Sequence, residues 1–328
     1  MARGGIYDHV GGGFHRYSTD SHWLVPHFEK MLYDNALLAR VYLHTYQITK
    51  TPLYRDVVEQ TLDYVLREMC SADGAFYSAQ DADTEGIEGK FYVWSQDEIT
   101  SLLTEQDAAI ARRFFGVSSA GNFEGANILY ASEDLETVAA EFNITVGNLT
   151  DKLQNIRTTL REARAQRIAP ETDDKILIAW NSMMVRTFVE AGIVLDRADY
   201  RQAAIACASF MLTKMRDEDR LTRTFRAGRA HLNAYLEDYA LLADALLALY
   251  EMTFDPRWLE EAQSVTRVMM DYFLVVPENL FYDTSYDHEK LIVRPRDVFD
   301  NAVPSGSAAA TDVLLKLSDL TGDEELRT

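Results

Sequence analysis

The chain is poor in the residues that staple, break or loop a polypeptide. Only two cysteines, Cys70 and Cys207, serve 328 residues. They lie far apart with no C-x-x-C spacing, which leaves no disulfide framework and no thiolate zinc site, and both read as small buried hydrophobes. Seven prolines and 16 glycines are too few for a turn-dense sandwich and favour helix. Positive charge is also short: 32 Lys and Arg face 52 Asp and Glu, a formal net charge of −20. Such a surface repels phosphate backbones and anionic lipid, which argues against nucleic-acid and membrane partners. No run approaches 18 uncharged apolar residues, and the most apolar segment, Tyr239 to Tyr250, carries Asp244 at its centre. No basic start followed by an apolar stretch marks a secretory signal. A cytoplasmic protein is expected.

What the sequence does contain is a repeat. DNALLARVYLHTYQITKTPLY from Asp34, WNSMMVRTFVEAGIVLDRADY from Trp180 and DYALLADALLALYEMTFDPRW from Asp238 align without gaps. Each is a long apolar run, a short polar turn and an aromatic residue (Tyr54, Tyr200, Trp258). A second helix is predicted after each, over Arg55 to Met69, Arg201 to Met215 and Arg257 to Phe273, and a fourth copy begins near Ser305. The run from Tyr239 is apolar nearly all round, whereas its partner sets Trp258, Leu259, Ala262, Val265, Met269 and Tyr272 on one face and charges on the other. A buried helix followed by a half-exposed one, repeated, predicts concentric rings of helices, an all-α α/α toroid. An open solenoid of helix hairpins satisfies the same period. An insert at about 84–174, with strand-like KFYVWS and a further possible strand at Asn127 to Tyr130, is expected as a small α/β elaboration of one domain spanning 1–328.

In a toroid the loops before the inner helices gather at one mouth, under positive helix N-termini. Those loops hold the polar residues of interest. Of seven histidines, His9, His15, His22, His27 and His44 fall in the first 44 residues. His44, mid-helix, reads as a core histidine. Carboxylates suited to paired acid–base work on a sugar are Asp81, Asp83, Asp174 and Asp238, with His15 and His27 as alternative bases. Arg16, Trp23, Glu29, Tyr33, Gln80, Trp180, Asn181 and Arg294 supply the aromatic platforms and hydrogen-bonding groups that a polyhydroxylated ligand needs. Asp34 and Asp238 sit where helix N-caps fall, and capping alone accounts for them equally well. Gly11 to Gly13 is neither a dinucleotide fingerprint nor a P-loop and reads as a flexible loop allowing close ligand approach. Asp81, Asp83 and Glu85 followed by Gly86 copy half of a calcium loop, but Tyr92 stands where its bidentate Glu belongs. No metal and no cofactor are expected.

Six segments carry a family resemblance. GGIYDHVGGGFHRYSTDSHWLVPHFEKMLYDNALL (Gly4 to Leu38), GAFYSAQDADTEGIEGKFYVW (Gly74 to Trp94), GNFEGANIL (Gly121 to Leu129), DDKILIAWN (Asp173 to Asn181), YLEDYALL (Tyr235 to Leu242) and DNAVPSG (Asp300 to Gly306) closely resemble the spermatogenesis-associated protein 20 family. The resemblance implies an (α/α)6 toroid of the six-hairpin glycosidase type, related in shape to N-acylglucosamine 2-epimerases. It also implies a thioredoxin-like domain ahead of the toroid, missing from this sequence, and a toroid that continues past Thr328; with four hairpin starts visible, the ring is expected to be incomplete and the chain a fragment. The functional expectation is a carbohydrate-active enzyme of the glycosidase or sugar epimerase/isomerase type acting on a small soluble sugar. Its alternative is a non-catalytic sugar- or protein-binding module partnering a thioredoxin-like domain.

Overall fold

The computed structural model describes every residue except Pro277, Leu291 and Thr328. Its regular structure is dominated by helices. They are α1 (Leu32–Thr49), α2 (Pro52–Tyr64), α3 (Gln96–Leu102), α4 (Glu105–Phe114), α5 (Leu135–Glu141), α6 (Val146–Arg164), α7 (Ile178–Val194), α8 (Ala198–Lys214), α9 (Leu236–Thr253), α10 (Pro256–Phe273) and α11 (Gly306–Thr321). None among the described residues is long and apolar enough to cross a membrane. Contacts divide the chain into two compact units: Met1–Asn35 with Ile48–Arg67 and Ala79–Asp173, and Ala36–Gln47 with Glu68–Ser78 and Asp174–Thr328.

In the second unit the expected pairing of helices is realised. From Leu236 to Leu249 only Glu237 and Asp244 escape full burial, and α9 packs against α7, α10 and α11. Local chemistry fixes the ends. Asp255 accepts from Arg257 N (3.0 Å) and Pro256 occupies the first turn of α10. Ser305 accepts from Ala308 N (3.2 Å) to open α11, and Gly322 closes it at φ 74°. Arg220–Arg226 forms a hairpin with Arg229–Asn233 across a turn in which Ala227 and Gly228 both have positive φ, and pairs on its other side with Ile176–Leu177.

In the first unit, helices α3 to α6 share one hydrophobic cluster with Val10 and Trp94. The residues of the expected insert thus build a core together with the N-terminal segment. Ser95, Thr104, Asp134 and Thr145 cap the four helices through their side-chain oxygens. Three two-residue strands, Lys30–Met31, Ala79–Gln80 and Thr172–Asp173, form a small antiparallel sheet. KFYVWS is not a strand: Gly89 O accepts from Tyr92 N and Val93 N in a turn, and Tyr92 packs on Phe28. Only Trp94 pairs, through an isolated bridge to Asn127.

Gly11 to Gly13 approach the chain's own side chains and backbone closely. A Cβ on Gly12 would meet Gln60 O at 2.2 Å, and one on Gly13 would meet the Tyr64 ring at 2.6 Å. Beneath the loop lies a buried ionic cluster. Arg164 grips Asp8 through two bonds of 2.9 and 2.8 Å, and Lys30 Nζ donates to Asp8 Oδ2 (2.8 Å) and Gly12 O (2.9 Å). The glycines therefore let backbone pack tightly over this cluster, in place of the flexible, ligand-facing loop expected from sequence.

Candidate functional site

In the first unit a polar cluster is assembled from two short strands and the start of α1. Tyr17–Ser18 pairs with Pro26–His27, which stacks the Tyr17 ring on the His27 imidazole (4.9 Å, 22°). His27 Nδ1 meets Glu88 Oε1 at 2.7 Å, and its Nε2 lies 3.7 Å from Glu29 Oε2. Arg16 donates to the same Glu29 oxygen at 2.8 Å. The chain then enters α1, whose first turn carries Tyr33 and Asp34.

Asp34 is the unusual member. Its Oδ2 is buried with no hydrogen-bond partner among the described residues. Burial pushes its carboxyl up to about 7, opposed by the Arg16 guanidinium, reinforced by Glu29 and opposed again by a hydrogen bond from the Tyr33 hydroxyl. A carboxylate in the first turn of a helix is ordinarily favoured by the dipole, so here desolvation outweighs it. Burial and the neighbouring Asp34 raise the Tyr33 hydroxyl as well.

The other expected residues of this unit are placed differently. His15 is buried, bonded through Nδ1 to Phe28 O (2.8 Å) and edge-on to Tyr92. Burial, then the Lys30 charge, push it down to about 3, so it is neutral near pH 7. Gln80 accepts from the Tyr64 hydroxyl (2.6 Å) inside the core. Asp81 turns back on its own backbone, accepting from Ala82 N at 2.7 Å. Asp83 is exposed opposite Glu88 in a hairpin. Trp23 is exposed and holds a positive φ of 63°. Arg16, His27, Glu29 and Tyr33 are thus brought together, and Asp34, which sequence reasoning left as a possible cap, joins them.

The second unit uses its expected residues mostly as braces. Asn181 Oδ1 accepts from Phe76 N (2.8 Å) while its Nδ2 donates to Phe76 O (2.9 Å) and Leu177 O (3.0 Å). Asn35 does the same in the first unit with Phe14 N, Phe14 O and Met31 O. Asp238 is fully buried, accepting from Ala179 N, Tyr235 N and Arg223. Burial pushes it up to about 6 against the pull of Arg223. Asp174 pairs with Arg226 (2.5 Å). Trp180 is half-buried in the first turn of α7. Arg294 is spent on Thr284 O and Tyr272 O and lies over the Tyr282 ring.

A cavity of about 280 Å³ beside Asp238 is lined by Arg223, Tyr235, Glu237, Asp283, Asp297 and Asn301 among others. Burial raises the Asp283 carboxyl, with Asp297 and Glu237 adding to the effect and the Asp297 N–H bond opposing it. His44, expected in the core, is half-exposed and bonded to Glu190 (2.8 Å). The reason is that Glu190, one helix over, offers it a carboxylate at the surface.

No family model matches the chain. It is 35% identical over 369 residues to spermatogenesis-associated protein 20 of Homo sapiens, covering 99% of this chain and 46% of the human protein. It is 30% identical over 360 residues to an uncharacterized protein of Caenorhabditis elegans, covering 100% and 49%. The chain therefore spans about half the length of the curated relatives it matches. Among solved structures, the unsaturated glucuronyl hydrolase of Bacillus sp. GL1, responsible for the degradation of glycosaminoglycan, is similar with a TM-score of 0.54 at 14% identity. That match covers 98% of this chain and 66% of the hydrolase. The likeness establishes the fold as an α/α toroid of the six-hairpin glycosidase class. Over the residues it spans, the chain belongs to the spermatogenesis-associated protein 20 family.

Proposed function

We propose that the chain performs acid–base chemistry on a soluble sugar, of the glycoside hydrolase or sugar epimerase/isomerase type, with Asp34 as its acid. One observation carries this reading. Asp34 and Glu29 lie in the same cluster, but Asp34 is desolvated with an unanswered oxygen, while Glu29 is ion-paired to Arg16. Environments that separate two carboxyls in this way assign one as proton donor and the other as base or nucleophile. In a hydrolysis, protonated Asp34 gives its proton to the departing glycosidic oxygen as the C–O bond breaks. Glu29, ion-paired to Arg16, takes a proton from the attacking water or attacks the anomeric carbon itself. In an epimerisation, His27 removes the proton beside the carbonyl and Asp34 supplies one to the opposite face. The toroid fold shared with the glucuronyl hydrolase is compatible with either reaction and selects neither.

The test is turnover of a panel of 4-nitrophenyl glycosides, followed by nitrophenol release, and of free aldoses, followed by NMR. Asp34→Asn and Glu29→Gln should each lower kcat by about 10²–10⁴-fold while sugar binding by calorimetry persists. Absence of turnover across the panel, with binding intact, would instead favour the non-catalytic binding module beside a thioredoxin-like domain.

A further inference from the structure

The second unit contains a cavity that the acid–base cluster does not use. It measures about 220 Å³ and opens between α1, α7, α9 and α11. Its polar wall is formed by Arg40, Arg186, Asp244 and Asp312, and its apolar wall by Leu37, Met183, Leu241 and Pro304.

The charges of the polar wall belong to a continuous chain of ion pairs running from Arg40 to Asp312. Arg40 reaches Glu190 at 2.9 Å, and Arg186 bonds both Glu190 (3.1 Å) and Asp244. Lys316 bridges Asp244 (2.8 Å) and Asp312 (2.5 Å). Each cation is matched by a carboxylate, so a ligand entering the cavity meets no uncompensated charge of either sign. A phosphate or carboxylate group would compete with Glu190 or Asp244 for the charge of an arginine. An ammonium group would compete with an arginine for its carboxylate. Both leave a partly buried charge incompletely paired, which is costly.

The same guanidinium and carboxylate groups still offer directional donors and acceptors beyond their mutual bonds, since an arginine carries five N–H groups and a carboxylate about four lone-pair sites. Facing them, the aliphatic wall presents C–H surface. A sugar ring has this division: hydroxyls around its edge and C–H bonds on its face. The volume lies below the roughly 300–1,000 Å³ of sites for drug-sized ligands, which suits a single ring. Ser182 and Thr187 add no further selectivity, because their hydroxyls are spent on backbone carbonyls.

We infer that this cavity binds one uncharged monosaccharide unit and discriminates against uronic acids, amino sugars and sugar phosphates. The inference rests on the sugar reading proposed above and adds to it a binding site separate from the acid–base cluster.

The experiment is saturation-transfer NMR with calorimetry on the full chain, using D-glucose, D-mannose, D-glucuronate, D-glucosamine and glucose 6-phosphate. A neutral aldose should bind at least tenfold more tightly than any charged analogue. Ala308→Leu, which adds bulk at an exposed position of the lining and so leaves folding intact, should weaken that binding at least tenfold. Ala309→Leu provides a second, independent obstruction. Equal or tighter binding of a charged sugar, no binding of any of the five, or binding unaffected by both leucine variants would each overturn the inference. Loss of turnover in Asp34→Asn together with unaffected binding in the leucine variants would remove this site and leave the acid–base reading standing. Retained turnover in Asp34→Asn with binding abolished by the leucines would do the reverse.

Discussion

Two buried carboxyls of the first unit meet opposite fates. Asp8 is answered on every side by Arg164, Lys30 and the Val10 and Gly11 N–H groups. Although burial works against it, Arg164 and Lys30 hold it well below the usual carboxylate range. Removing its charge strands two buried cations, so Asp8→Asn should cost about 3–5 kcal/mol, read as a lowered denaturant midpoint. Asp34 Oδ2 is left unanswered. Its carboxyl rises from 3.8 to about 7, so folding takes up a proton between those values and the ionised form carries a penalty that grows with pH. Asp34→Asn should therefore raise the melting temperature relative to wild type at pH 8, with the difference fading by pH 4. A variant that loses activity while gaining alkaline stability is the signature of a functional acid; at a mere N-cap the same change would leave stability nearly unaltered, since Asn caps a helix as well as Asp. Little of this was legible in the sequence. Arg16, His27, Glu29 and Tyr33 stood out by clustering, but Asp34 looked like any helix-opening aspartate, because its distinction is desolvation, which depends on packing from distant segments.

At the scale of elements, the repeat was legible because its signal is long: an apolar run of several turns, a break and an amphipathic partner. The structure adds why the repeat positions matter. Asn35 and Asn181, one residue after the aligned Asp34 and Trp180, each clamp the N–H and C=O of a phenylalanine in a returning segment. In the third copy Tyr239 takes that place, its hydroxyl accepting from Leu221 N (2.9 Å). Asn181→Ala would leave the buried Phe76 amide and carbonyl unpaired and should destabilise by about 2–4 kcal/mol, measured by chemical denaturation. Asn181 thus positions backbone, and its effect should appear in stability at unchanged pH dependence of any turnover. The hairpin at Arg220–Asn233 escaped sequence reading because its arginine-rich strands lack the apolar alternation that marks a half-buried strand. KFYVWS misled in the opposite way. Its aromatic and β-branched residues suit a strand, yet Phe91, Tyr92 and Val93 are used to pack around Phe28 and Ile128.

For the molecule as a whole, the net charge of −20 argues against polyanionic partners and identifies none. A few of the acids are paired inside the molecule, in the Glu190–Asp244–Asp312 chain and the clusters around Asp8 and Asp238. The pH response should instead be set by buried histidines. Burial, then Arg157, holds His9 down at about 4, and burial, then Lys30, holds His15 at about 3, both from 6.5. Each is protonated more readily unfolded than folded in that window, so stability is complete above pH 6.5 and falls as pH drops towards 4. Asp34 opposes this over part of the range, one group against two. Hydrogen-exchange protection factors, which correct for the intrinsic pH dependence of amide exchange, should accordingly fall between pH 6.5 and 4 in the first unit, and more steeply in Asp34→Asn. In the second unit Asp238, raised to about 6, works the other way and gains stability as pH falls from 6 towards 3.8. Uniform exchange in both units would contradict this division.

To act as proton donor, Asp34 must stay protonated close to neutral pH beside the Arg16-paired Glu29. A carbon-13 NMR titration of the side-chain carboxyls, with the Asp34 resonance assigned through Asp34→Asn, measures it directly. The account predicts a midpoint near 7 for Asp34. A midpoint near the ordinary value of about 4 would remove the acid from the proposed chemistry and return Asp34 to the role of a helix cap.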